Sequence, residues 1–422
     1  MSSNKYISAT EDNIDIGYLQ INALSETNDI PVSNARIEVA STGNPDIVLE
    51  TFETNTDGQT ENIELAAPPR EFSLEPSDNQ PYSEYNLRIT APGYQEVVVS
   101  GVQILSGENG LQSIRMTPTA TTEQAYNPTV IPGHTLWEFY PPKIAEAEIK
   151  PMDESGEIVL SKVVIPEYII VHDGSPSDTT ATNFYVPYLD YIKNVASCEI
   201  YSTWPEASIY ANVLAIMSFT LNRVYTEWYR GKGYNFTITS STAFDHKWIY
   251  QKTIYQNISR VVDNVFNNYL SRPNVRQPIL TQYCDGKRVT CPNWMTQWGS
   301  KYLGDQGYTA IEILRNYYGD DIYINEAEII SGIPSSWPGY NLTVGSSGEK
   351  VRTIQEQLNR IAQNYPSIPR IAADGVFGEA TRSAVQRFQE IFNLPANGIV
   401  DYPTWYKISQ IYVGVSRIAE LD

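Results

Sequence analysis

The stretch VASCEIYSTWPEASIYANVLAIMSF, residues 195–219, sets the organisation of this chain. From Ser208 onward, Ile209, Val213, Leu214, Ile216, Met217 and Leu221 recur at helical spacing and predict a buried helix running to about Tyr229. Ser202 or Thr203 can cap it, Pro205 suits its first turn, and Glu206 places an acid near its positive end. Just upstream, Glu199 sits among Ile200, Tyr201 and Trp204. A carboxylate with apolar and aromatic neighbours is poorly hydrated, holds its proton more tightly and can act as a general acid near neutral pH. Both acids are equally compatible with an ordinary helix start. Tyr201 and Trp204 carry rings that suit sugar stacking or core filling.

Outward from this stretch, 422 residues with 41% hydrophobic content suffice for two or three domains. Aromatic residues make up 12%, including 30 Tyr, which suits surfaces that stack on sugar rings. A formal net charge of −20 argues against nucleic acid and anionic membranes, which reward Lys and Arg. Any anionic glycan must therefore be held by local contacts. No apolar run reaches membrane-spanning length, and MSSNKYISATEDNIDIG lacks the basic start and apolar core of a secretion signal. No cofactor is called for.

Residues 15–118 alternate apolar and polar positions between turn clusters, predicting an all-β sandwich. TPTATTEQAYNPTVIPGHTLWEFYPPK, residues 117–143, reads as an exposed extended linker open to proteases. Residues 144–326 mix strand and helix patterns into an α+β domain, followed by a second linker at 327–340. Three helices are expected in 341–422, where Asp374-Gly375 makes a turn and Phe377, Thr381, Ala384, Val385 and Phe388 face inward.

The three His, at 134, 172 and 246, leave little room for Ser-His-Asp chemistry, and no GxSxG elbow is present. His246 can contact a substrate or belong to a surface loop. Cys284 and Cys291 can form a small disulfide, part of a metal site with His246, or free thiols. Cys198 lacks an adjacent base and reads as a packed small residue.

Family resemblances sharpen these readings. DGVFGEATRSAVQRFQ with Gly398, Thr404 and Trp405 resembles the peptidoglycan-binding domain of the DGxFGxxTxxAVxxFQ type. Gly17-Tyr18-Leu19, Pro31 with Ala35-Arg36-Ile37, Thr56-Asp57-Gly58 and Ala91-Pro92-Gly93-Tyr94 resemble the carboxypeptidase regulatory-like, transthyretin-like fold. The 195–219 stretch resembles the SpoIID/LytB family. Its YxxxVxASEM and WPxEALxAQAxAxRTY segments meet Cys198-Glu199-Ile200, Trp204-Pro205, Ala211-Asn212 and Ser218-Phe219. Two positions depart: the second acid of the pattern falls on Ala207, and its Arg is Met217.

That resemblance implies a lytic transglycosylase with Glu199 as catalytic acid and base and Glu206 in reserve. His246 falls at a polar loop of that family's cleft, and Tyr201 and Trp204, by their rings and closeness to Glu199, join it as candidate substrate contacts. Such chemistry needs one carboxyl, because the muramic C6 hydroxyl rather than water attacks C1. The domain order resembles the pre-pro-forms of spore cortex-lytic enzymes of the SleC type. It implies a zymogen of the spore, made without a classical signal peptide. A subtilisin-like, Csp-type protease would cut near Gln124-Ala125, and the substrate would be cortex peptidoglycan bearing muramic-δ-lactam. The alternative is a non-catalytic glycan binder that enhances another hydrolase.

Overall fold

The computed structural model describes residues 14–27, 29–119, 128–150 and 162–416; Gln124 and Ala125, the expected cut site, lie outside the described residues. The chain is multidomain, with several β-sheets and, among the described residues, eight α-helices.

The N-terminal region is built from β1 (Asp15–Ser25), β2 (Arg36–Ser41), β3 (Val48–Glu53), β4 (Ile63–Ala67), β5 (Tyr82–Thr90), β6 (Val97–Leu105) and β7 (Asn109–Met116). Strand alternation puts Leu19, Ile21, Ala23, Ile37, Val39, Leu87 and Ile89 into one buried cluster between two sheets. Residues from elsewhere complete both sheets. A short strand β8 (Thr129–Val130) adds in parallel to β6, giving the order β3-β2-β5-β6-β8.

The central region contains β9 (Val164–Ile165), β10 (Tyr168–His172), β11 (Asn183–Pro187), α1 (Tyr188–Glu199) and α2 (Glu206–Tyr225). It continues through β12 (Ile238–Thr239), β13 (Ile254–Tyr255), α3 (Gln256–Val265), β14 (Asn268–Ser271), β15 (Tyr283–Cys284) and β16 (Met295–Thr296). Helices α4 (Gln297–Asp305) and α5 (Ala310–Tyr318) and strands β17 (Tyr323–Glu326) and β18 (Ile329–Ile330) complete it. Strand β13 pairs with β7 and so extends the other N-terminal sheet, in the order β13-β7-β1-β4. The two regions therefore share backbone hydrogen bonds at a sheet edge, as well as side-chain packing.

Helix α2 is buried on nearly every face, from Ser208 to Arg223, as expected of a core helix. Its start differs from the sequence expectation. Pro205 is the N-cap residue, and no side chain caps the helix, because Thr203 Oγ1 instead donates to Ser73 Oγ at 2.8 Å. Arg223 is enclosed at the far end, bonded to Asp245 at 2.7 Å and to both oxygens of Glu146 at 2.6 and 2.9 Å. Burial pushes the Glu146 carboxyl up, but Arg223 and Lys150 outweigh it and hold Glu146 below the usual carboxylate range.

The described part of the expected exposed linker is not exposed throughout. Ile131, His134 and Leu136 are buried, because the segment runs between the N-terminal sheets and the central domain. Within HTLWEFY the burial falls on His134 and Leu136, while Trp137 and Tyr140 are half-buried and Phe139 is exposed.

Helices α6 (Glu349–Ile361), α7 (Glu379–Ile391) and α8 (Tyr402–Ser416) form the C-terminal domain, with Phe377, Ala384, Val385, Phe388 and Trp405 in its core. Two buried glutamines organise it in the same way. Gln355 accepts from Gly375 N at 2.8 Å and donates to Val376 O and Thr381 Oγ1. Gln389 accepts from Gly398 N at 2.8 Å and donates to Ile399 O and Thr404 Oγ1. Each glutamine ties a turn, whose glycine has φ of +75° or +71°, to the following helix. This domain also docks on the sandwich through Arg387–Asp57 at 3.2 Å and Gln59 to Ile391 O at 2.8 Å.

Candidate active site

Glu199 is the last residue of α1, and Ile200 turns the chain out of the helix with extended dihedrals. A negative charge at a helix C-terminus is unfavourable unless donors compensate it. Two do. Lys247 N donates to Oε1 at 2.7 Å, and Gln297 Nε2, at the start of α4, donates to Oε2 at 2.8 Å. The same amide nitrogen lies 2.6 Å from the Glu199 carbonyl, which fixes backbone and side chain together.

Glu199 lines a pocket with Lys247, Tyr283, Asp285 and Gln297 on the central-domain side. Asp285 is the second carboxyl there, but its oxygens accept the backbone N–H groups of Lys287, Arg288 and Val289 at 2.9–3.1 Å, closing a turn. That turn also carries the Cys284–Cys291 disulfide, which settles the alternatives left open for this pair. Burial, then the nearby Glu199 charge, pushes the Tyr283 phenol well above its ordinary pKa, so it remains protonated.

The opposite wall comes from the former linker: His134, Leu136, Tyr140, Pro141 and Lys143. Lys143 donates to the Asp245 carbonyl, and its ammonium sits 4.7 Å from the Tyr283 ring centroid. Burial lowers its pKa, while the charges of Glu199 and Asp245 oppose that fall.

The other expected residues fall elsewhere. Tyr201 and Trp204 do not line the pocket. They form an aromatic cluster with Trp298, at centroid separations of 6.0, 6.1 and 4.9 Å. Trp204 Nε1 donates to Ser73 O at 2.9 Å, so the N-terminal region covers that cluster. A second cavity lies beside it, between Leu74-Glu75-Pro76 and Lys287, Trp298 and Tyr302. Glu206 is exposed at the start of α2, away from the pocket. His246 is on no surface loop: it is wholly buried behind Tyr283, with ring centroids 5.7 Å apart, and burial lowers its pKa well below the ordinary value. Lys143, Lys247, Tyr283 and Gln297 had no signal in the sequence, since they come from stretches far from Glu199 along the chain.

Comparison with known proteins adds a domain identity. Residues 347–408 match the family model of the peptidoglycan binding domain PG_binding_1. The zinc D-Ala-D-Ala carboxypeptidase of Streptomyces albus G is 47% identical over 77 residues, which is 18% of this chain and 28% of that protein. An uncharacterized protein of Kitasatospora aureofaciens is 35% identical over 83 residues, covering 19% of this chain and 64% of the relative. Among solved structures, catechol 1,2-dioxygenase from Acinetobacter sp. ADP1 aligns over 29% of this chain and 60% of that one. The TM-score is 0.19 and the sequence identity 12%. The C-terminal helical region is a peptidoglycan-binding domain, and with it the chain is a cell-wall-related protein.

Proposed function

We propose that this protein cleaves peptidoglycan glycan strands as a lytic transglycosylase, with Glu199 as its single acid and base. The observation that carries this reading is the Glu199 pocket: one positioned carboxyl, with the neighbouring Asp285 already committed to a backbone turn. Two-carboxylate hydrolysis would need a second free acid facing the first. In the proposed reaction Glu199 protonates the glycosidic oxygen between muramic acid and glucosamine, and that bond breaks. The resulting carboxylate then takes the proton of the muramic C6 hydroxyl as its oxygen bonds to C1, giving a 1,6-anhydro end. Gln297 and the Lys247 N–H hold the carboxyl through both steps. The C-terminal domain keeps the enzyme on the wall.

The resemblance of the whole chain to SleC-type proteins supports the finer proposal. It is a spore-located zymogen, acting on cortex glycan bearing muramic-δ-lactam after a subtilisin-like protease cuts near Gln124-Ala125. Mass spectrometry of cortex peptidoglycan digested with the C-terminal fragment, separated from the N-terminal one after the cut, tests this. Anhydromuramic ends are expected, reduced roughly 10²–10⁴-fold by Glu199→Gln. Reducing muramic ends would make it a hydrolase. No new ends from any form, with binding to the sacculus intact, would make it an enhancer of another enzyme.

A further inference from the structure

We infer that the segment from Ile131 to Lys143 is a strap that forms the outer wall of the Glu199 pocket and is held in place by the N-terminal sandwich, so that departure of the sandwich opens the site. The inference rests on the reading of Glu199 as the reacting group only for what the opened pocket then admits.

The strap has two roots. At its start, Thr129 and Val130 pair with Val99 and Ser100 of the sandwich, and Ile131 N donates to Ser100 O at 2.8 Å. Gly101, at φ +85°, lets the Ile131 carbonyl approach to a distance that any side chain at 101 would block. At its end, Ile144 N donates to Ala243 O at 2.7 Å, and Glu146 enters the buried pair with Arg223. One root therefore belongs to the sandwich and the other to the central domain.

Between the roots, the strap is bonded to the catalytic stretch itself. His134 Nε2 lies 2.6 Å from the carbonyl oxygen of Cys198, the residue before Glu199. A carbonyl only accepts, so Nε2 carries the proton, and Nδ1 faces the Tyr140 hydroxyl at 2.7 Å. Leu136 N donates to the Tyr201 hydroxyl at 2.9 Å. The sandwich holds the same point from above, because the Tyr82 hydroxyl accepts from His134 N at 2.8 Å. Arg288 sits 4.3 Å from the rings of both Trp137 and Phe139 and pairs with Asp78 of the sandwich at 2.8 Å. His134, Leu136 and Tyr140 form the wall that faces Glu199, so the strap narrows the space a glycan strand would enter.

A cut near Gln124-Ala125 leaves this strap attached to the central domain. Nicking alone therefore keeps the pocket closed. The sandwich must also release β8 and the Tyr82 contact before the strap can swing out.

Hydrogen exchange of the peptide spanning 131–143 in the full-length chain reads the strap directly, beside a glycan-cleavage assay. His134→Ala with Leu136→Asp is expected to speed exchange at least tenfold without any cut and to release anhydromuramic ends from uncut protein. Tyr82→Phe removes one hydroxyl from the sandwich core's edge and is expected to speed the same exchange several-fold while the sandwich peptides keep their protection. Nicked protein is expected to stay protected until its fragments separate on size exclusion. Faster exchange with no glycan cleavage from any form would uphold the strap and sink the transglycosylase reading. Unchanged exchange at 131–143 in both variants and in separated nicked protein would overturn the strap.

Discussion

The C-terminal domain and the Glu199 pocket are two ways of encoding a functional unit. In the first, each motif residue has its partner nearby in sequence: Gln389 reaches Gly398, Ile399 and Thr404, all within the next 15 positions. In the second, Glu199 meets Lys247, Tyr283, Gln297 and, from the other direction, His134 to Lys143. A local lock concentrates its residue requirements into a readable motif. A site assembled by tertiary packing scatters them, and here only Glu199, the proposed reacting group, stands out.

The sharpest way to break this comparison is to cut one lock of the first kind. Gln389→Ala leaves the Gly398 N–H and the Ile399 carbonyl without partners in a buried turn. At about 1–3 kcal/mol for each stranded group, the domain should lose roughly 2–6 kcal/mol. Sedimentation with purified sacculi should fall accordingly, while cleavage of short soluble glycans by opened enzyme should persist. Loss of both together would show that the two regions do not act separately.

The corresponding lock at the pocket is Gln297. Gln297→Leu removes the donor to both the Glu199 carboxyl and its carbonyl, while keeping side-chain volume. A cost of about 1–3 kcal/mol in transition-state stabilisation corresponds to roughly 5- to 150-fold in kcat/KM. Glycan binding should not change. An unaltered kcat/KM in opened enzyme would mean that Lys247 N alone positions the acid.

These two residues also mark what was legible in the sequence. The β-alternation of 15–118, the periodicity of α2 and the turn-helix pattern of 374–389 are local signals, and the corresponding elements are present. The N-terminal strand β8 was not legible, because two residues of a Pro- and Thr-rich segment have no pattern of their own and pair only because β6 offers an edge. His134 was read as a linker residue for the same reason. His246 reads in the sequence as a substrate contact or a surface-loop residue. Its burial follows from the Arg223–Asp245 pair, which draws the 239–246 loop into the core, and that pairing spans 22 positions. Tyr201 and Trp204 have the ring chemistry expected of sugar platforms, but Leu136 of the strap bonds the first and Ser73 of the N-terminal region the second.

The pH dependence of the strap sharpens the comparison from another side. Burial, followed by the charge of Lys252, lowers the His134 pKa to about 3; the Cys198 carbonyl opposes this, and Lys247 adds to it. Tyr82 and Tyr140 are the remaining groups bonded to His134, and burial keeps both phenols protonated far above neutral pH. In the open strap, His134 should return to about 6.5. The depressed value means that closure is fully stabilised above about pH 6.5 and is lost as pH falls toward 3, because only the open form binds the proton. Opening should become easier by about 1.4 kcal/mol per pH unit below 6.5, or roughly 2 kcal/mol at pH 5. Exchange at 131–143, corrected for the intrinsic pH dependence of amide exchange, should show this slope. His134→Gln should remove it.

The smallest expected effect belongs to Glu206, the reserve acid beside Glu199 in the sequence reading. It is exposed in the first turn of α2, whose positive end it faces. Glu206→Gln should cost about 0.3–1 kcal/mol, seen as a slightly lower Tm, and added salt should shrink the difference from the parent. Cleavage by opened enzyme should be unchanged. The contrast between the two acids, seven positions apart, then comes from which helix end each occupies. Glu199 ends α1, where its charge needs the donors that Lys247 and Gln297 bring from distant segments, and those segments build the pocket. Glu206 begins α2, where the helix itself supplies the favourable field, and nothing has to be gathered around it. A loss of cleavage in Glu206→Gln comparable to that in Glu199→Gln would mean that the second acid works with the first in spite of its exposure.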